Sequence, residues 1–367
     1  MTVVRYEDLG IRPVINACGK MTALGATAVE PEVAEAMALA ARHYVNMAEL
    51  EEKAGRRIAE ITGAEAACLT AGAASGIAIG TAAFVAGTDP AKIQALPDSQ
   101  GMSNEILVQA GHRINFVEMA KIGGGKLVTV GWVNYVAREQ LAGAITANTA
   151  GFLYVLSHHV VHKGMLSLPV CLEICHAKGI PVLVDAAAEE DLHVYVEMGA
   201  DLVTYSGGKA IGGPSFGLLC GKAKSIEACK AQTWGIARSM KVTKEGAMGL
   251  LTALEIYARR DAGAEKERRS AILAATLDQL AGLPHTELSI VSDEAGRDIE
   301  RAQLQLDEPA LGSTAFDLIQ HLRSGDPAIV TRDHKANLGI LAIDPRTLTL
   351  EQVPIITRRI REFFASK

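Results

Sequence analysis

The chain has no excess of positive charge. Its 36 Lys and Arg are outnumbered by 42 Asp and Glu, a net charge of −6 over 367 residues. The electrostatic footprint of a nucleic-acid binder is therefore missing. It also lacks a paired-cysteine motif. Six cysteines stand at 18, 68, 171, 175, 220 and 229. The closest two, Cys171 and Cys175, have three residues between them rather than two, and no second pair completes a four-ligand set. They read as small buried hydrophobes of a reducing compartment. No secretory signal is expected, since MTVVRYEDLGIRPVI is charged early and has no long apolar run. A charge-free stretch long enough to span a bilayer, residues 66–88, is filled with Ala, Thr and Ser and broken by Gly72, Gly76, Gly80 and Gly87. A buried strand–turn–helix suits it better. Together these absences predict a soluble, cytoplasmic protein with no membrane and no nucleic-acid partner.

What is present is globular: 49% hydrophobic and 21% charged residues, in a chain long enough for a large domain and a smaller one. Short β-type runs alternate with helical ones through the middle, the pattern of an open, largely parallel α/β sheet. The runs are EAACL, EILVQ, KLVTV, FLYVLS, PVLVDA, LVTYS and FGLLCG. Helices are predicted between them, for instance at 29–44 and 50–62, with a long one at 244–263 leading out of the block. Beyond it come a helix at 270–283, strands near 286–291 and 327–332, and an amphipathic helix at 350–365. The predicted division is 1–250 for an N-terminal arm with the large domain, and 251–367 for a small α+β domain.

Three segments carry chemistry. Lys209, in TYSGGKAIGGPSFG, lies between two glycine pairs just after an apolar strand. Glycines let the backbone approach a ligand closely, and a desolvated lysine can form a Schiff base with a carbonyl. An ordinary turn lysine, or a phosphate-binding one, fits the segment equally. Asp185 ends the apolar strand PVLVD, where ligands of open α/β sheets collect. There it suits a protonated ring nitrogen or, more plainly, a helix cap. TAGAASG, residues 70–76, turns from a strand into a helix and presents free backbone N–H groups to an anion. It matches neither the Rossmann nor the P-loop pattern, and a tight packing turn is its plain alternative.

Taken in this order, with PVINACGKMTALG and SHHVVHKGMLSL beside them, these segments resemble the L-seryl-tRNA selenium transferase branch of the fold-type I pyridoxal-phosphate enzymes and its shorter ammonia-lyase relatives. The resemblance implies an α/β fold with a mostly parallel seven-stranded sheet, flanking helices and a smaller C-terminal α+β domain. It implies pyridoxal 5'-phosphate as cofactor, with Lys209 forming the Schiff base and Asp185 facing the ring nitrogen. Gly72, Ala73, Ala74 and Ser75 would hold the phosphate, with Ser206 assisting. Gly213 would touch it from a neighbouring subunit, in a homodimer or an assembly of dimers. A residue stacking on the ring is expected in QAGHR: His112, with Gln109 and Arg113 as rivals. His158 and His159 would line the pocket as proton-transfer groups. His158 and His162 have metal-ligand spacing on a helix, but they follow a strand directly and lack the Glu of H-E-x-x-H, so no metal is expected. Arg332, at the end of an apolar strand, would clamp a substrate carboxylate, with Lys20 and Lys163 as further anion contacts. The reaction implied is elimination from an amino sugar acid, giving a 2-keto acid and ammonia. An amino-acid racemase or epimerase, and a tRNA-dependent selenium transferase, are the alternatives.

Overall fold

The computed structural model describes residues 3–293 and 296–366. Among them the strands are, in chain order, β1 (Val14–Ala17), β2 (Ala66–Thr70), β3 (Glu105–Gln109), β4 (Lys126–Val130), β5 (Thr149–Val155), β6 (Val182–Asp185), β7 (Leu202–Ser206), β8 (Gly217–Gly221), β9 (Thr286–Ser292), β10 (Glu300–Leu306), β11 (Ala328–Thr331) and β12 (Ile340–Ile343). All seven apolar runs of the middle block become strands of one sheet, in the order β2-β8-β7-β6-β5-β3-β4. Only β8 runs against its neighbours.

Each inner strand is apolar on both faces, as a covered parallel sheet requires. Leu107, Phe152, Val184, Val203 and Leu218 enter one core. Their chain neighbours Ile106, Leu153, Leu183, Leu202 and Leu219 enter the other. The helix Ala73–Ala86 belongs to the second core and lies unusually close to the sheet. A Cβ on its Gly76 would stand 2.1 Å from Thr204 Oγ1, and one on Gly80 3.0 Å from Leu183 Cδ2. Small residues in TAGAASGIAIG thus set the height of this helix over β6 and β7.

The contacts divide the chain into residues 28–259 and a second unit made of the residues up to Thr27 with those from Arg260 onward. This differs from the 1–250 and 251–367 division expected from sequence. The reason is a pairing that the sequence order hides: β1 lies parallel to β11, with Val14 opposite Ala328 and Ala17 opposite Thr331. The long helix expected at 244–263 also divides. It ends at Ala258, and Asp261 starts a new helix, Ala262–Leu280, by accepting the N–H groups of Gly263 and Ala264.

The second unit has an antiparallel sheet, β12-β10-β9, beside the β1-β11 pair. Its interior contains a charged cluster. Arg301, 2% exposed, bridges Asp293 (2.7 Å) and Asp344 (2.9 Å). Arg297 completes one end and Arg346 the other, each at 2.8 Å. Burial alone would raise the Asp344 carboxyl, but the Arg346 hydrogen bonds and the Arg301 charge hold it at about 2. Its contribution to stability is therefore complete above the ordinary value of 3.8 and is lost as pH falls toward 2.

Two outcomes follow for denaturant melts read by circular dichroism. Arg301→Met leaves two buried carboxylates short of a cation, and unfolding should become easier by about 3–5 kcal/mol; a loss below about 1 kcal/mol would contradict the cluster as described. Gly76→Ala should cost about 1–3 kcal/mol by overpacking against Thr204, and Thr204→Ala in the same chain should return most of it.

Candidate active site

β5, β6 and β7 end side by side, with Val155 opposite Asp185 and Asp185 opposite Thr204. Asp185 is 4% exposed there. Its Oδ1 accepts the Ala187 N–H at 3.1 Å. Burial pushes its carboxyl up to about 6, against the lowering effects of the Lys209 charge and the Ala187 N–H, and the charge of Glu189 adds to the rise. The loop that follows is fixed by tyrosines. Tyr195 donates its hydroxyl to Glu189 Oε2 (3.2 Å), Tyr205 to the Asp191 carbonyl (3.0 Å), and Tyr257 to the Glu190 carbonyl.

Lys209 stands in the connection from β7 to β8. Gly207 donates its N–H to the Phe216 carbonyl and accepts that of Gly213, both at 2.7 Å. A Cβ on Gly207 would lie 2.7 Å from Leu250 Cδ1 and 3.0 Å from the Pro214 carbonyl. Gly212 needs φ +77°. The glycines around the lysine thus have steric reasons of both kinds. Lys209 Nζ lies 6.0 Å from the centroid of the Phe116 ring. Phe116 is in turn 5.9 Å from the ring of His159, and His159 is 3.9 Å from that of His158. Both histidines sit in the turn just past β5, as expected. The segment is not helical, so His158 and His162 share no helix face; His162 Nε2 instead donates to the Ser157 carbonyl at 3.1 Å. Lys163 is exposed.

The turn TAGAASG leads from β2 into the helix Ala73–Ala86 with Gly72 at φ +144°. No side chain caps this helix and its first turn has no acid. Gly72 accepts the Gly76 N–H (3.0 Å) and the Thr70 hydroxyl (2.9 Å) through its carbonyl. A Cβ on Gly72 would meet nothing within 4 Å. The N–H groups of Ala73, Ala74 and Ser75 have no capping side chain, so the cradle fits a phosphate. Ser206, ending β7, and Thr70, ending β2, both pair with Gly217 of β8. Gly213 is buried, with its N–H committed to Gly207.

His112 is fully buried. The β3–β5 pairing ends at Leu107–Phe152, and further along β5 the Val155 N–H donates to His112 Nδ1 at 3.3 Å. An accepting Nδ1 puts the proton of the neutral ring on Nε2. Burial, then the His162 charge, push this ring down to about 4, so it is neutral. Its edge meets Tyr154, with centroids 4.7 Å apart and planes at 86°. The two rival residues are engaged elsewhere, Arg113 with Glu118 at 2.9 Å and Gln109 with the Leu166 backbone. Sequence reasoning missed Phe116 and Glu189; neither lies in a periodic or glycine-rich segment that would have marked it.

In the second unit, Lys20 and Arg332 leave the same end of the β1–β11 pair, past Ala17 and Thr331. Arg332 exchanges both backbone hydrogen bonds with Ala342 (2.9 and 3.0 Å). A cavity of about 580 Å³ elsewhere in the first unit, floored by Leu69, Ile79 and Cys229, contains none of these groups. The chemistry, not the volume, marks the site. The thiols offer no nucleophile: burial raises Cys18 to about 11 and Cys175 to about 12. A half-buried amine, a buried carboxylate and an open phosphate cradle at one sheet edge fit pyridoxal phosphate: a carbonyl, a ring nitrogen and a phosphate.

Comparison with known proteins agrees with this fit. The sequence model described as "SelA: L-seryl-tRNA selenium transferase" matches residues 14–283. The chain is 41% identical, over 99% of its length and 98% of the relative's, to D-glucosaminate-6-phosphate ammonia lyase of Salmonella typhimurium. It is 42% identical, over 98% of its length and 92% of the relative's, to 5'-C-glycyluridine monooxygenase-decarboxylase of a Streptomyces species. A solved structure of D-glucosaminate-6-phosphate ammonia-lyase, 40% identical, superposes with a TM-score of 0.90 over 100% of this chain and 99% of that one. The chain therefore belongs to the L-seryl-tRNA selenium transferase family of fold-type I pyridoxal-phosphate enzymes.

Proposed function

We propose that the chain is a lyase that converts a phosphorylated amino sugar acid, D-glucosaminate 6-phosphate or a near relative, into a 2-keto acid and ammonia. The observation that carries the reading is the end-to-end similarity to the ammonia lyase, in sequence and in fold, around a complete Lys209–Asp185–cradle set. Bound pyridoxal phosphate supplies an electron sink for the electrons left when the substrate loses its α-proton. The rest is work for the chain.

Lys209 Nζ would hold the cofactor's carbonyl carbon, and its amine, when free, is the group placed to take the substrate's α-proton. Asp185 would pair with the protonated ring nitrogen, and the N–H groups of Gly72 to Ser75 would anchor the phosphate, with Ser206 as a supporting contact; Gly213, expected to reach the phosphate from a neighbouring subunit, is buried with its N–H spent on Gly207. His112, expected to stack on the ring, is a neutral imidazole with no exposed face, so it backs the pocket through the Val155 N–H and Tyr154 instead. His158 or His159 delivers the proton that lets the β-hydroxyl leave as water. Lys163, exposed in the loop after β5, takes an anionic group of the substrate. In this reading the protein is cytoplasmic and works as a homodimer or an assembly of dimers. Reprotonation without elimination, the racemase outcome, would change optical rotation and release no ammonia.

The second relative favours another reading, since its 42% identity is no lower. Its name describes a monooxygenase-decarboxylase, so that chemistry would consume dioxygen and release carbon dioxide. One experiment separates the two. Purified holoenzyme is given D-glucosaminate 6-phosphate or 5'-C-glycyluridine, and keto acid, ammonia, dioxygen and carbon dioxide are followed together. Keto acid and ammonia from the first substrate without dioxygen uptake are expected; the opposite pattern would refute the lyase.

Two variants test the assignments. Lys209→Ala should lose the cofactor's visible absorbance band and at least about 10³-fold in kcat. Asp185 is protonated below about 6 and charged above it. Uptake of pyridoxal phosphate by the apoprotein should therefore weaken as pH falls through that value, and Asp185→Asn should bind weakly with no such step. A pH-independent affinity in the unaltered protein would remove Asp185 from the ring nitrogen.

A further inference from the structure

We infer that Gln109 is a positioning residue for His158 and His159, acting by clamping the far end of the loop that carries them. The inference rests on the reading of those histidines as proton-transfer groups, and it concerns how they are held. Gln109 is the last residue of β3 and is fully buried. Its amide makes two bonds to one residue: Nε2 donates to the Leu166 carbonyl (3.0 Å) and Oε1 accepts the Leu166 N–H (2.7 Å). The side chain thus imitates one rung of a β ladder, joining the end of a sheet strand to a loop that is not itself a strand.

Two neighbouring contacts extend the clamp. The Gly111 carbonyl accepts the Val161 N–H at 2.9 Å, and the Gly111 N–H points to Met165 Sδ at 3.3 Å. A Cβ on Gly111 would stand 2.5 Å from the Val161 carbonyl and 2.7 Å from Met165 Sδ, so only glycine permits this approach. The loop is pinned again at Gly164, whose carbonyl accepts the Val136 N–H at 2.9 Å. His158 and His159 fall between the end of β5 and the Val161–Gly111 bond, and the Gln109 clamp on Leu166 bears on that bond through the adjacent Met165, whose Sδ accepts the Gly111 N–H. The ring of His159 then meets Phe116, which faces Lys209. An amide at 109 matches the donor and the acceptor that half-buried Leu166 presents to it. A group with only one of these functions leaves a main-chain polar atom without its partner.

The test uses two variants of the holoenzyme. Gln109→Met keeps the length and removes both bonds. Its kcat for keto-acid formation should fall about tenfold or more, with KM within about threefold and the cofactor absorbance unchanged. The ring resonances of His158 and His159, followed in histidine-labelled protein, should move while those of His43 and His285 stay. Gln109→Glu is an isostere of the amide only while protonated. Its kcat relative to the unaltered enzyme should recover as pH falls and the carboxyl protonates, and drop about tenfold behind as pH rises and it ionises. This arm decides the matter if Gln109→Met does not fold. Unmoved histidine resonances, or an unchanged kcat in both variants while His158→Gln or His159→Gln lowers it, would overturn the positioning role alone. An unchanged kcat in both histidine variants would instead defeat the reading of the loop, and the inference with it.

Discussion

A carboxylate is buried at the centre of a sheet edge, and a single amine is close enough to counter it. Asp185 comes to this place because β5, β6 and β7 run parallel and end in register, so the last residue of the middle strand is walled by its neighbours. Burial outweighs Lys209, and the carboxyl rises rather than falls. Much of the surrounding structure keeps this pair in place. Three tyrosine hydroxyls hold the loop after Asp185. Glycines that admit no side chain hold the turn carrying Lys209. A site of this kind tolerates little motion, since a water reaching either group would relieve the desolvation on which the shift depends.

The one reversed strand brings the remaining parts to the same edge. Because β8 is antiparallel to β7, their connection needs no crossover helix, and Lys209 stays at the edge where β7 ends. Because β2 is antiparallel to β8 in turn, it runs the same way as β7, and its carboxyl end arrives at that edge too. Gly217 pairs with both Ser206 and Thr70. A Cβ on it would lie 2.7 Å from the Gly72 carbonyl carbon and 2.8 Å from Thr70 Oγ1. The phosphate cradle and the lysine turn are thus two sides of one glycine. In the sequence they are far apart, and it is the strand order that makes them neighbours.

The sheet strands were legible because each is an uninterrupted apolar run bounded by turn residues, and the cradle and lysine because glycine has few reasons to cluster. Side chains that act through main-chain atoms were not. His112 is marked as polar, yet its place is set by one N–H of β5 that the β3 pairing leaves free. Gln109 reads as a strand end with a polar tip, and only the fold shows Leu166 opposite it. Phe116 carries no periodic signal. The division into units was illegible for a different reason. β1 is four residues long and its partner β11 lies at the other end of the chain, so no local pattern could assign it.

Two buried aspartates in this chain show why a pKa direction is informative only with its surroundings. Asp344 is fully buried and sits at about 2, because Arg346 and Arg301 supply more positive charge than burial removes. Such a carboxylate is satisfied by the protein itself and is best read as architecture. Asp185 is buried almost as deeply, yet one lysine leaves it at about 6. A carboxylate built only for stability gains nothing from that arrangement, since an apolar residue of similar size would avoid the desolvation cost. It becomes useful when a further cation docks against it, and the protonated nitrogen of a pyridine ring anchored by its phosphate at Gly72 to Ser75 is such a cation. The same reasoning separates the two units by their sensitivity to acid. The cluster around Asp344 keeps its charges throughout the neutral and mildly acidic range, whereas the edge carrying Asp185 changes its protonation there, so a fall in pH should reach the chemistry before it reaches the fold.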